Sequence, residues 1–306
     1  MKSSFNEREG ATMKKTYLIA GATGYLGKYL VKAAKSAGHR VIALARSPKN
    51  VPACADEVIT AEATHAESLK GVCDGVDVVV SALGITRQKD GLSYQDVDYQ
   101  ANRNILDEAL RAGVKRFAYV HVLNAKQMLH VPMVQAKERF AEELRRASID
   151  STIVCPSGFF SDIEEFLQMA RRGRVYLFGD GRSQVTPIGG RDMAEVCISA
   201  VDVEKDELNV GGPETLSFQQ MAELAFEVLG KPARITHVPL RAGTFGVAAA
   251  KLFGFGKAVG PFEFFVAASA LDMQAPHYGS LRLREHFEQL EGKNTKKLPH
   301  SELLSV

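Results

Sequence analysis

Between a β-branched run and a segment of helical period stands Ala20-Gly21-Ala22-Thr23-Gly24-Tyr25-Leu26-Gly27, with a glycine at every third residue. In a turn from strand to helix, the first such glycine permits a tight bend. The second lets backbone approach a pyrophosphate, and the third lets the helix pack closely on the strand. The helix that follows directs its first N–H groups and the positive end of its dipole at an anion. Gly21, Thr23, Gly24, Tyr25, Leu26 and Gly27 are therefore the candidate contacts for a dinucleotide. Nineteen residues beyond Gly27 the chain reads Arg46-Ser47-Pro48-Lys49. A site for an unphosphorylated ribose usually presents a carboxylate there. Arg46, with the Ser47 hydroxyl and Lys49 beside it, suits a 2′-phosphate instead, so NADP(H) is expected in preference to NAD(H).

The elements that must position these groups follow from periodicity. Strands are expected at 16–20, 40–45, 57–60, 76–81, 116–121 and 151–155, and helices at 25–37, from about 99 to 112 and from about 134 to 147. Gly38 and Gly113 close the first two helices as C-caps. Alternating strands and helices predict an α/β fold, a Rossmann doubly wound parallel sheet over 14–156. Beyond Pro156 the elements shorten, with turns at 179–183, 187–190 and 210–214. Residues 157–290 are expected to form an interleaved C-terminal substrate lobe over the carboxyl ends of the strands. Residues 1–13 are expected to be a flexible extension and 291–306 a flexible tail.

Composition narrows the partners. With 306 residues, 45% hydrophobic and 24% charged, the chain can bury a substantial core, which excludes disorder and a disulfide scaffold. Lys and Arg total 38 against 36 Asp and Glu, so no global field draws nucleic acid. The four cysteines are scattered and show no zinc-ligand spacing, so no metal is expected and a reduced, cytoplasmic setting fits. The apolar stretch 238–271 is interrupted by Arg241, Lys251, Lys257 and Glu263. It is expected to be no transmembrane helix but a packing surface, a homodimer contact or a peripheral membrane contact. Asp192 is expected to cap a helix or to join the lobes through a salt bridge.

GATGYLGKYLV, ALARSP, VVVSALG (78–84), DYQANRNILDEALRAGVKRFAYV (98–120), QAKERFAEEL (135–144), CPSGFF (155–160) and FGDGRSQVTPIGGRDMAEV (178–196) give the chain a family likeness. It resembles an atypical or extended short-chain dehydrogenase/reductase of the NmrA-like group, near the divinyl chlorophyllide reductase branch and epimerase-like proteins. The resemblance implies that Ser81, Ala82 and Leu83 line the adenosine side of the cofactor. It implies that Lys137 holds the nicotinamide ribose, and that Pro156, Gly158 and Phe159 pass beside the nicotinamide.

Two catalytic positions of that superfamily depart from pattern. The tyrosine expected four residues before Lys137 is Met133, and no serine follows the fifth strand in Tyr119-Val120-His121-Val122-Leu123-Asn124. A reductase would then draw its proton from Lys137, from His121 or from water; an imidazole at the carboxyl end of a strand titrates near neutrality. The expected reaction is NADP(H)-dependent reduction of a small apolar or aromatic carbonyl or an activated alkene. A non-catalytic NADP(H) sensor and an assembly subunit are the alternatives.

Overall fold

The computed structural model describes residues 13–85, 91–201, 206–253 and 256–292. The expected flexible extension, apart from Met13, and the tail beyond residue 292 lie outside the described residues. The first half of the chain runs β1 (Thr16–Ala20), α1 (Tyr25–Ser36), β2 (Arg40–Ala45), β3 (Glu57–Thr60), β4 (Val78–Ser81), α2 (Asn102–Ala112), β5 (Arg116–Val120), α3 (Pro132–Arg146) and β6 (Asp150–Pro156). The second half runs α4 (Phe160–Arg171), β7 (Val175–Phe178), β8 (Gln184–Val185), α5 (Gly190–Ala200), β9 (Glu207–Val210), β10 (Leu216–Ser217), α6 (Phe218–Leu229), β11 (Ile235–Val238), α7 (Leu240–Leu252), α8 (Gly256–Ser269) and α9 (Leu283–Leu290).

Seven parallel strands form one sheet in the order β3-β2-β1-β4-β5-β6-β9. The strand order reverses between β1 and β4, which opens a crevice at their carboxyl ends, the usual ligand position of such sheets. Strand pleating explains the two covered faces. Tyr17 and Ile19 of β1 pack with Leu30 and Val31 of α1 and Met193 and Cys197 of α5. Their neighbours Leu18 and Ala20 point the other way, into a cluster with Ile105 and Leu106 of α2 and Phe140 and Leu144 of α3. Each Leu, Ile, Val, Phe or Met side chain among them, taken fully out of water, contributes about 1.5–3 kcal/mol.

Expected and observed elements differ in instructive places. Strand β4 begins at Val78 because Val76 is held in a turn by the Cys73 carbonyl, while the Asp77 carboxylate accepts the Thr16 N–H at 2.8 Å. The helix expected from Tyr99 begins instead as a π-helical stretch, Gln95–Ala101. There Asn102 Nδ2 donates to the carbonyls of Val97 and Asp98 and draws the backbone out of the α register. Helix α3 opens at Pro132, whose missing N–H costs nothing in the first turn.

A third apolar cluster, with Phe160, Phe166, Phe218, Phe226 and Phe287 buried, joins α4, α6 and α9. Two small sheets accompany it, β8 with β10 and β7 with β11. Asp192, in the first turn of α5, is buried and accepts the N–H groups of Ser280 and Leu281 at 2.7 and 2.9 Å. It ties segments 88 and 89 residues apart through backbone donors rather than through a salt bridge.

Candidate functional site

The glycine turn has the geometry that its sequence requires. Gly21 sits at φ +82°, and its carbonyl accepts the Gly24 N–H at 2.9 Å. A Cβ on Gly27 would lie 2.0 Å from the Gly21 oxygen, so no side chain fits where α1 leaves the turn. No side chain caps α1 at Gly24. Gly21, Thr23 and Gly24 line a cleft of about 250 Å³ that is also lined by Arg46, Glu62 and Gly84. A backbone cradle that any Cβ would fill, at a helix start, fits a dinucleotide pyrophosphate.

The other residues expected here divide into cleft and support. Ala82 and Leu83 line the cleft beside the turn. Ser81 does not; it is fully buried, donates from Oγ to Asn102 Oδ1 at 2.5 Å and accepts the Leu83 N–H at 3.3 Å. Leu26 is buried in the core of α1. The Tyr25 hydroxyl accepts the Gly190 N–H at 3.1 Å, and burial pushes its pKa up to about 12. The Tyr25 ring meets Phe159 edge-on at 5.9 Å. Pro156 ends β6, and Gly158 accepts the Ile188 N–H at 2.9 Å. Pro156, Gly158 and Phe159 thus join the sheet to the second half of the chain and do not line the cleft. Ser47, whose Oγ accepts the Lys49 N–H at 3.3 Å, shapes the loop after Arg46.

Lys137 stands where α3 faces the ends of β4 and β5. Its Nζ is 3.3 Å from Asp98 Oδ1 and donates to the Val120 carbonyl at 3.4 Å. Asp98 is wholly buried, and desolvation raises its carboxyl above the usual range while Lys137 opposes that rise. The Ile85 N–H also reaches Asp98, at 3.3 Å. A Cβ on Gly84 would stand 2.7 Å from Asp98 Oδ1 and 3.0 Å from Lys137 Nζ. Gly84 therefore brings the cleft directly against the ion pair.

His121 has a different setting. Its side chain is 1% exposed and its Nε2 lies 2.6 Å from Glu138 Oε2, while Nδ1 is buried without a hydrogen-bond partner. The arrangement fits a neutral imidazole whose Nε2–H donates to the carboxylate. Burial holds the imidazole below its usual pKa, and the His121 and Arg145 hydrogen bonds hold Glu138 at about 2. Arg145 continues the chain to Glu138 at 3.0 Å and Glu207 at 2.9 Å, joining α3 to β5 and β9. Met133 is buried in one apolar cluster with Tyr94, Leu123 and Met128.

Asp98, Gly84 and Glu62 belong to this neighbourhood without having been singled out by sequence. Gly84 closes VVVSALG and Asp98 opens DYQANRN, but the separation of 39 residues from Asp98 to Lys137 carries no local signal. A second cavity, of about 380 Å³, lies among Met128, Leu240, Val247, Val266 and Leu271, with Lys251 and Glu263 paired at 2.6 Å in its wall. Among the described residues no cluster suits a metal ion.

Residues 21–204 match the family described as NAD(P)H-binding. The divinyl chlorophyllide a 8-vinyl-reductase of Arabidopsis thaliana is 27% identical, over 89% of this chain and 76% of that protein. A photosystem II assembly factor of Synechocystis sp. is 24% identical, over 73% of this chain and 70% of its own length. Among solved structures, the NADPH complex of an Escherichia coli NADPH-dependent quinone oxidoreductase superposes with a TM-score of 0.72 at 18% identity. The alignment covers 90% of this chain and 99% of that one. A Thermus thermophilus UDP-glucose 4-epimerase complexed with NAD gives 0.62 at 16% identity, over 73% and 86%.

Proposed function

Because the chain belongs to the NAD(P)H-binding family, as an atypical short-chain dehydrogenase/reductase, we propose that it is an NADP(H)-dependent reductase of an apolar or aromatic carbonyl or an activated alkene. The observation that carries this reading is Gly84. It lines the same cleft as the glycine turn, and its missing side chain leaves room for the Lys137 ammonium directly behind it.

Each residue has a physical task in this reading. The turn from Gly21 to Gly27 receives the pyrophosphate on backbone N–H groups, and Arg46 meets the 2′-phosphate. When bound, a reduced nicotinamide supplies a hydride. Asp98 fixes Lys137, which holds the ribose hydroxyls and keeps a proton at Nζ for the reduced substrate, directly or through water. Met133 has no proton to give. His121 enters as a positioning residue, since its Nε2 is committed to Glu138 and the pair holds α3 against β5. The apolar cavity beside Met128 suits the substrate class.

The test is titration with NADPH and NADH, followed by NADPH consumption over a panel of quinones, enones and aldehydes. NADPH binding with turnover that Lys137→Ala abolishes is the expected result. Binding without turnover on any of the panel would sink the enzymatic reading.

Met133 favours a second reading, in which the cleft binds NADP(H) without turnover and the complex serves as a sensor or assembly subunit. A relative named for photosystem assembly agrees with it. The two readings part on the same panel.

A further inference from the structure

Helix α7 is apolar on both sides. Its inner side buries Gly243 and Val247. On its outer side Ala242, Phe245, Gly246, Ala249, Leu252 and Phe253 follow one another at helical spacing, and all but the half-buried Ala249 are exposed. Phe245 is 75% exposed, Leu252 82% and Phe253 75%. Three large apolar side chains on one stripe differ from the scattered exposed leucines of an ordinary surface.

Charge indicates what covers the stripe. Between Glu227 and Glu263 the sequence has no Asp or Glu, but it has Lys231, Arg234, Arg241, Lys251 and Lys257. Arg241 flanks the stripe on α7 itself and is exposed, while Lys251, on the cavity side of the helix, is paired with Glu263. A second copy of this chain is a poor occupant, because a two-fold contact brings a patch against itself and would set these cations against each other. An anionic lipid surface answers both features at once, taking the aromatic and aliphatic side chains into its interface and the cations among its headgroups. The helix has 13 residues, so it is about 20 Å long, less than the roughly 30 Å of a bilayer core. It must lie in the plane of the surface, and among the described residues no helix is long and apolar enough to cross.

We propose that the outer face of α7 docks the protein on the surface of an anionic lipid bilayer. The docking does not depend on the reductase reading, and its geometry adds one thing to it. Leu240, Thr244, Val247, Ala248 and Lys251 of the same helix line the 380 Å³ cavity, so docking sets that cavity beside the bilayer, where an apolar compound dissolves.

The experiment is flotation of the full chain with vesicles of phosphatidylcholine containing about 30% phosphatidylglycerol, and with phosphatidylcholine alone. Binding is expected to the anionic vesicles only, and to weaken as salt rises from about 0.1 M to about 0.5 M. The triple variant Phe245→Ser, Leu252→Ser, Phe253→Ser is expected to bind about tenfold less, and Arg241→Glu also less. Both should keep the melting temperature and the NADPH affinity of the parent, which separates loss of docking from loss of fold or of cofactor binding. Absence of flotation overturns the proposal, as does flotation that the triple variant leaves unchanged. A parent dimer in light scattering that the triple variant dissociates, without vesicle binding by the parent, overturns it in favour of a contact between copies.

Discussion

The ammonium of Lys137 stands 3.3 Å from a carboxylate, Asp98, that has no exposure to solvent. The pair occupies the space that a side chain at position 84 would take. Asp98→Asn keeps the shape and removes the charge that fixes the lysine. We expect turnover to fall about 10- to 100-fold with less than about threefold change in NADPH affinity, the pattern of a group that positions a proton donor. Steady-state kinetics beside fluorescence titration of NADPH separates the two. An equal loss in both would assign Asp98 to cofactor binding.

Arg46 should decide between the two nicotinamide dinucleotides. A charge-assisted phosphate contact is worth about 1.5–3 kcal/mol. Arg46→Ala is expected to weaken NADPH about 10- to 100-fold and leave NADH within about twofold. Parallel titrations check it, and an equal change for both cofactors would remove the 2′-phosphate assignment.

Gly27→Ala tests the cradle. The added carbon would meet the Gly21 oxygen at 2.0 Å, and that oxygen belongs to backbone with no rotamer to move. The expected cost is about 3 kcal/mol or more, together with loss of NADPH binding. Gly38→Ala is the control for glycine removal without crowding: its Cβ would meet nothing within 4 Å, so only the φ of +83° strains it. It should cost about 1 kcal/mol and leave NADPH affinity alone. Thermal melts with and without NADPH read both.

The His121–Glu138 pair makes stability depend on pH in one direction. Glu138 is held at about 2, so its contribution is full above the ordinary carboxylate range and is lost as pH falls toward 2. His121 is held neutral by burial, so the unfolded chain gains a proton as pH falls through the imidazole range, and stability again declines. Glu138→Gln should cost about 3 kcal/mol at pH 7, where Arg145 and His121 lose a buried anion. The gap should narrow steadily toward pH 3 in urea melts. A gap that stays constant would show that the charge of Glu138 is not what it contributes.

Periodicity made most of the sheet legible. The strands Thr16–Ala20, Arg40–Ala45 and Glu57–Thr60 have the expected limits because each is a short run set off by turn residues. The strand Glu207–Val210 was not expected. Two of its four residues are polar, and it is a strand only because Ile153 to Pro156 offer it an edge. The same holds at the site. The glycine turn is a local device and could be read from eight residues, as could the arginine after the second strand. Asp98 could not, because its burial and its partner arise only when α3 packs over the π-helical stretch. Nor does the sequence of His121 reveal that Glu138, on another element, already engages it.

The order of the sheet also bears on how the chain is made. Helix α1 is flanked on the same face of the sheet by α5, whose Gly190 rests against the rings of Tyr25 and Tyr29 with no room for a side chain. Strand β9, which completes the sheet, comes still later. During synthesis the first four strands can pair as they emerge. The flank of α1 that carries Tyr25 and Tyr29 then waits for some 165 residues of further translation before Gly190 arrives to close it. Through that interval Tyr25 and Tyr29 lack the neighbour that covers them in the folded chain, a transient apolar exposure of the kind that chaperones shield.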